Sequence, residues 1–188
     1  MRYILASKSP RRRELLADIV PEFEIKTAEV DETLPSDMHP REGVEMLAVR
    51  KGAAVVPLVG DDALVVSSDT LVEYRGVPLG KPMDAEDAKR MLRTLSGVTH
   101  NVHTGVAVHY RGRCYSGVSS TEVEFLELSD DTIEAYVETK EPMDKAGAYG
   151  IQGLGGRLVK EYRGDYNTVV GLSLELTKRL ISEALGDD

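Results

Sequence analysis

Residues 63–67 read Ala-Leu-Val-Val-Ser, an almost unbroken apolar run that passes into Ser67-Ser68-Asp69. A strand with one wet face alternates polar and apolar residues, whereas a strand covered on both faces is apolar along its length. The run therefore predicts a buried strand with helices on either side, which confines the chain to a mixed α/β fold. In such sheets ligands gather at the C-terminal ends of strands, so Asp69, closing the run, stands where chemistry is expected.

Helical spacing and turn residues supply the other elements. A short strand over 3–6 leads through Ser7-Lys8-Ser9-Pro10 into a helix over 10–17, with Ser9 as N-cap and Pro10 at the first helical position. Leu15, Leu16 and Ile19 share its apolar face. A strand over 23–27 is followed by a polar loop holding Asp31 and Glu32, then by a helix over 41–56 marked by Val44, Leu47, Ala48 and Val55. Residues 71–74 and 77–79 form a hairpin turning at Arg75-Gly76. Asp84 caps a helix whose Ala85, Ala88, Met91, Leu92 and Leu95 fall at helical spacing. Two long strands, 102–110 and 113–126, meet at Arg111-Gly112, and Ser129 caps a helix carrying Ile133, Tyr136 and Val137. After a glycine-rich segment come a strand near 158–162 and a last helix over 172–185. Strands alternating with helices, with an antiparallel insertion, predict a mixed twisted sheet flanked by helices.

A chain of 188 residues suits one domain or two closely joined lobes and can bury a core without disulfides. Its lone cysteine, Cys114, excludes an intramolecular disulfide, fits a reducing compartment and reads as a core residue within a strand. No apolar stretch approaches the roughly 20 residues of a membrane span, and the opening Met1 to Ala6 segment is too short for a signal peptide. A soluble, cytoplasmic protein with no membrane partner is expected. The net charge of −9 and the scarcity of aromatic residues argue against a nucleic-acid-binding face. A small anion would need a local basic pocket.

Several positions offer one. Arg11, Arg12 and Arg13 occupy the first turn of the first helix, where the dipole disfavours cations by up to about 1 kcal/mol each. They are either three solvated arginines or part of a phosphate cradle built on the helix N-terminus. Lys51 rides the apolar face of its helix, so that its ammonium either snorkels to the surface or enters a cleft to meet phosphate. Asp69 either caps a turn before Thr70 or holds a divalent cation and deprotonates a water. Gly80-Lys81-Pro82 is no P-loop, because the glycine spacing is too short and Pro82 stands where a magnesium-binding hydroxyl should be. Lys81 can reach a phosphate singly, or serve as an ordinary loop lysine. The segment 147–156 is dense in glycine, which either admits a ligand close to the backbone or leaves a flexible loop. Within it Gln152 carries the donor and acceptor needed to read a base edge. His39, His100, His103 and His109 lack zinc-site spacing, so a metal here should be a hard cation, Mg²⁺ or Mn²⁺.

Taken together these residues resemble the Maf family of nucleotide pyrophosphatases, a branch of the inosine-triphosphatase-like superfamily. The shared motifs run in order along the whole chain. They are Leu5-Ala6-Ser7-Lys8-Ser9-Pro10-Arg11-Arg12, Val30-Asp31-Glu32, Leu47-Ala48-Val49-Arg50-Lys51, Ser68-Asp69-Thr70, Gly80-Lys81-Pro82 and Leu95-Ser96-Gly97 with His100, ending with the run from Asp144 to Gly153. The resemblance implies a single Maf-like domain over 1–188, with two lobes around a central cleft, and a homodimer. It also implies metal-dependent hydrolysis between the α- and β-phosphates of a nucleoside triphosphate, a house-cleaning reaction.

On matching positions the resemblance makes Asp69 the proton acceptor, and Ser7, Arg12, Lys51 and Lys81 phosphate or transition-state contacts. Glu32, with Asp69, becomes a metal or water contact, and Arg11, Thr70 and Gln152 set specificity. Ala148-Tyr149-Gly150-Ile151-Gln152 looks like the branch acting on dTTP and UTP. The rival substrates are 7-methyl-GTP or damaged purine triphosphates. A rival of another class is a non-catalytic nucleotide-binding regulator of cell division. One departure is Lys51-Gly52, where many members carry Lys-Ala.

Overall fold

A computed structural model of the chain describes residues 1–186. In chain order the elements are β1 (Arg2–Leu5), α1 (Pro10–Ala17), β2 (Glu24–Ile25), α2 (Pro40–Val59), β3 (Ala63–Tyr74), β4 (Val77–Leu79), α3 (Ala85–Leu95), β5 (Thr99–Tyr110), β6 (Arg113–Phe125), α4 (Asp130–Glu138), β7 (Val159–Arg163), α5 (Tyr166–Val170) and α6 (Leu174–Leu185). Short 3₁₀ turns fill the stretch between α4 and β7. The strands follow the order β2-β1-β3-β5-β6-β7, with β4 beside β3, so the predicted mixed sheet with helices is present. The residues group into two compact units. The first holds Met1–Asp69, Thr104–Ser119 and the chain from Gly171 onward; the second holds Thr70–His103 and Ser120–Val170.

In the first unit β1 pairs parallel with both β2 and β3, placing Arg2 opposite Ala63 and Leu5 opposite Val66. Residues 63–69 are all buried, as their apolar run requires. Ile4, Ala6, Val55, Ala63 and Val65 form one core cluster between these strands and α2. The strand does not stop at Ser67, however. It runs on to Tyr74, absorbing the first arm of the anticipated hairpin. The serines do not break it because their hydroxyls find carbonyls: Ser67 Oγ donates to Ala48 O at 2.7 Å. Asp69 is therefore a mid-strand residue. It still lies past the parallel ladder, whose last bond runs from Ala6 N to Val66 O at 2.8 Å.

Helix α1 has the predicted limits, with Ser9 Oγ accepting from Arg12 N at 3.4 Å and Pro10 in the first turn; Ile19 falls beyond its end. Helix α2 starts a residue early because His39 Nδ1 caps Arg41 N, and it continues past Pro57 to Val59, with Gly60 as its C-cap. Strand β2 is only two residues long and exposed. Cys114 is exposed, contrary to the core reading, because the opening residues of β6 are on the surface. Among the described residues no helix is long and apolar enough to cross a membrane.

In the second unit β3 and β4 pair antiparallel around Arg75-Gly76, where φ is positive at both residues, and β6 pairs antiparallel with β7. Asp84 and Ser129 cap α3 and α4 as expected; Ala85 is exposed, but Ala88, Met91, Leu92, Leu95, Ile133, Tyr136 and Val137 are buried. These side chains share a core with Phe125, Tyr149 and Leu158. His100 sits in that core at 1% exposure. Its ring meets Phe125 and Tyr149 edge-on, at 5.0 and 5.5 Å between centroids. His100 Nε2 hydrogen-bonds the Tyr149 hydroxyl at 2.8 Å, while its Nδ1 is buried with no partner among the described residues. Helix α5 carries no apolar period of its own. Asp165 nucleates it, accepting from Asn167 N at 3.1 Å and Thr168 Oγ1 at 2.9 Å.

Candidate active site

The turn between β1 and α1 brings basic and hydroxyl groups together. Ser7 is buried, and its Oγ accepts from Ser9 N at 3.2 Å and from Arg12 Nη1 at 3.5 Å. Arg12 Nε donates to Gly171 O at 2.8 Å, and Ser68 Oγ donates to the same carbonyl at 3.1 Å. One carbonyl thus fixes the Arg12 side chain against β3. Burial lowers the pKa of Arg12, the charges of Asp69 and Glu32 oppose that, and Arg11 reinforces it. A guanidinium under these influences remains cationic at neutral pH. The first turn of α1 contains no acid, so its positive dipole end and the arginines Arg11 to Arg13 add up at one place. That is the charge pattern of an anion site.

Beside it lies an acid–lysine cluster. Lys51 projects from α2, whose Leu47, Ala48 and Val55 are buried, and its side chain is only 18% exposed. Its Nζ bonds Glu32 Oε1 at 2.8 Å and also Asp69 Oδ1. Asp69 is nearly buried, at 8%, whereas Glu32 reaches solvent. Thus Glu32 from a polar loop, Lys51 from a helix and Asp69 from a strand converge, although the first and last are 37 positions apart in the sequence. Two carboxylates this close, one of them desolvated, would repel without the ammonium between them.

Gly52, next to Lys51, answers the departure noted in the sequence. A Cβ added there would lie 2.5 Å from both His109 Nδ1 and Ser67 Oγ. His109 is buried, its Nδ1 has no partner among the described residues, and burial lowers its pKa. The imidazole occupies the space an alanine would need. Gly52→Ala is expected to destabilise the protein by about 2 kcal/mol, overpacking outweighing the roughly 1 kcal/mol gained in helix propensity. Urea unfolding would show it, and trimming His109 to Ala in the same chain should recover part of the loss. A Gly52→Ala protein as stable as the parent would mean that the imidazole simply turns aside.

Thr70, Lys81 and Gln152 belong to the second unit. Thr70 follows Asp69 on β3 and is half-buried, while Lys81 and Gln152 are exposed. The turn holding Lys81 and the glycine-rich segment are tied together, since Gly147 N donates to Gly80 O at 3.1 Å. That segment is ordered rather than loose, and its organiser is Glu141, which sequence patterning did not single out. Glu141 lies in a 3₁₀ turn, where no helical or strand period marks it. Gly171, whose carbonyl fixes Arg12, was likewise silent: a carbonyl leaves no trace in residue type.

Among the described residues no three His, Cys, Asp or Glu side chains form a ready-made metal cage. The Glu32 and Asp69 oxygens nevertheless suit a hard cation that takes one or two carboxylates and completes its shell with phosphate oxygens and water.

A mixed α/β sheet of this kind has a known counterpart. The solved structure of the Staphylococcus aureus Ham1 protein superposes with a TM-score of 0.54, covering 99% of this chain and 95% of that one at 15% identity. The chain thus shares the mixed α/β fold of that protein. Residues 2–184 match the family described as Maf-like protein, and the chain belongs to that family. Proteins called dTTP/UTP pyrophosphatase from Bacillus velezensis, Thermococcus kodakarensis and Vibrio cholerae are 47%, 49% and 49% identical to it. The matches cover 97%, 94% and 95% of this chain and 96%, 94% and 95% of those proteins respectively.

Proposed function

We propose that this enzyme hydrolyses dTTP and UTP at the α–β phosphoanhydride, releasing the nucleoside monophosphate and pyrophosphate in the cytoplasm, with the whole chain as its working domain. The observation that carries the reading is the convergence of Glu32 and Asp69 on Lys51, beside the Ser7–Arg12 anion cradle. A site built only to bind a polyanion has no use for two acids, which argues against the non-catalytic regulator. The names of the relatives favour the pyrimidine triphosphates over 7-methyl-GTP or damaged purines.

In this reading Asp69 takes a proton from water as the water oxygen attacks the α-phosphorus. The bond from that phosphorus to the α–β bridging oxygen breaks, and pyrophosphate leaves. Lys51 orients the Asp69 carboxylate and, with Arg12 and Lys81, neutralises charge on the phosphates, to which the Ser7 hydroxyl donates a hydrogen bond. Glu32 and Asp69 would hold a Mg²⁺ or Mn²⁺ ion, which supplies further charge neutralisation when bound. Arg11, Thr70 and Gln152 face the choice of nucleoside, with Gln152 offering both a donor and an acceptor to a base edge.

The test is product analysis of the purified protein with dTTP, UTP, CTP, GTP, ITP and 7-methyl-GTP, in Mg²⁺ or Mn²⁺ and in chelator. Pyrophosphate and monophosphate should appear from dTTP and UTP, only with metal, and ¹⁸O from labelled water should enter the monophosphate. Orthophosphate as the sole inorganic product would place the cut at the wrong bond. Absence of any product would leave a nucleotide-binding protein and remove the enzymatic reading.

A further inference from the structure

The loop presenting Gln152 is built around one half-buried acid, Glu141. Glu141 Oε1 accepts from Gly155 N at 3.0 Å and from the Tyr136 hydroxyl at 2.8 Å, while Oε2 accepts from Leu154 N at 3.0 Å. The same Tyr136 oxygen accepts from Gly150 N at 3.1 Å. The backbone is therefore clamped two residues before Gln152 and two and three residues after it, while the Gln152 side chain itself remains exposed. Glycine is needed for this closeness. A Cβ on Gly153 would lie 2.5 Å from Glu141 Oε2, and one on Gly155 would lie 2.5 Å from the Tyr136 oxygen. Burial alone would raise the pKa of Glu141. Hydrogen bonds from Gly155, Tyr136 and Leu154, with the charge of Lys145, hold it below the usual carboxylate range instead. It is thus ionised at neutral pH, and charge-assisted bonds to backbone N–H groups are the stronger kind. Lys145 Nζ closes the cluster by donating to Glu141 O at 3.1 Å.

We propose that Glu141, with Tyr136, is the positioning pair of the base-recognition loop, fixing 150–155 so that Gln152 meets the base in a single geometry. This rests on the reading of Gln152 as a specificity residue. Neither Glu141 nor Tyr136 touches the reacting phosphates in this scheme, so their effect falls on which base is accepted and on KM, with kcat for dTTP changing less. A base-edge amide held in one geometry loses little entropy on binding, whereas an amide on a freed loop must be ordered each time.

The experiment compares kcat and KM for dTTP and for CTP in full-length Glu141→Ala, Glu141→Gln, Tyr136→Phe and Gln152→Ala. Amide exchange of the 150–158 segment is followed in the same proteins. The dTTP-over-CTP ratio of kcat/KM should fall about tenfold in Glu141→Ala and Gln152→Ala, and less in Tyr136→Phe and Glu141→Gln. The amides of Leu154 and Gly155 should exchange faster only where Glu141 or Tyr136 is changed. The ratio is blind to the fraction of folded enzyme, so a purely structural loss would leave it unmoved. Tyr136→Phe keeps the buried ring in place if Glu141→Ala folds poorly. A ratio lost in Gln152→Ala but kept in Glu141→Gln, Glu141→Ala and Tyr136→Phe would overturn the positioning role while leaving the base contact standing. A ratio unchanged in all four would overturn the base-recognition reading and this inference with it.

Discussion

Asp69→Asn is expected to lower turnover of dTTP about a thousandfold, the usual reach of a positioned general base, while leaving the fold intact. Asparagine has the same shape and keeps an oxygen for the Lys51 ammonium, which also retains Glu32 at 2.8 Å. The urea midpoint should therefore move little, and nucleotide binding should persist. Loss of turnover together with loss of folding would instead make Asp69 a structural partner of Lys51. Turnover like that of the parent would take Asp69 out of the mechanism. The expectation rests on burial as much as on identity, since Asp69 lies 8% exposed with one carboxylate oxygen on an ammonium, whereas Glu32 stands in solvent. Of the two acids, Asp69 is the one whose orientation the fold controls.

The second large effect is on stability and comes from His100. Burial pushes its pKa down from 6.5 to about 4, with the Glu73 charge a smaller opposing influence. In the unfolded chain the imidazole takes up a proton near pH 6.5; in the folded protein it resists until near pH 4. The unfolded state thus binds more protons in that window. Stability is complete above about pH 6.5 and is lost progressively as the pH falls toward 4, by up to roughly 3 kcal/mol. Urea unfolding at pH 7 and pH 4.5 in the parent and in His100→Asn separates this residue from the carboxylates, which titrate in both. The parent should lose more than the variant, by roughly 2 kcal/mol. Equal losses would show that the imidazole reaches water in the folded state.

His100 also marks a limit of what the sequence conveys. It stands within a family motif, yet the structure seats it among Phe125 and Tyr149 in the second unit, whereas Glu32, Lys51 and Asp69 belong to the first. A motif records that a position matters and is silent on whether it matters for packing or for chemistry. The fold was largely legible because its signals are local. The apolar run at 63–67, the caps Ser9, Asp84 and Ser129, and the helical spacing of Ala88, Met91, Leu92 and Leu95 all act within one or two turns. The end of β3 was misplaced because two serines read as a strand terminus, and only their distant carbonyl partners show otherwise. Cys114 was misread because a strand's outward stretch and its inward stretch look alike when a single residue is judged by type.

For the site, charged residues in improbable places were the useful signal. Lys51 on an apolar helix face and Arg11 to Arg13 at the positive end of α1 both break a local rule; Lys51 sits in the acid cluster and Arg12 feels the charges of its Asp69 and Glu32. Glu141 breaks no such rule. An acid in a short turn is unremarkable until its partners at 136, 154 and 155 are known, and those depend on how the glycine-rich segment closes back on itself.

The Gly171 carbonyl has a consequence for the order in which this protein becomes competent. It holds Arg12 at a sequence separation of 159 and Ser68 at one of 103. During synthesis Arg12 emerges well before the carbonyl that fixes it. Until Gly171 is added, the chain carries the guanidinium without the atom that aims it. Contacts so distant along the chain form late, because closing the intervening loop comes before any gain from the bond. The anion cradle is therefore completed by closure of the chain's far end rather than by formation of α1, and a helical N-terminal fragment would possess its charges without their arrangement.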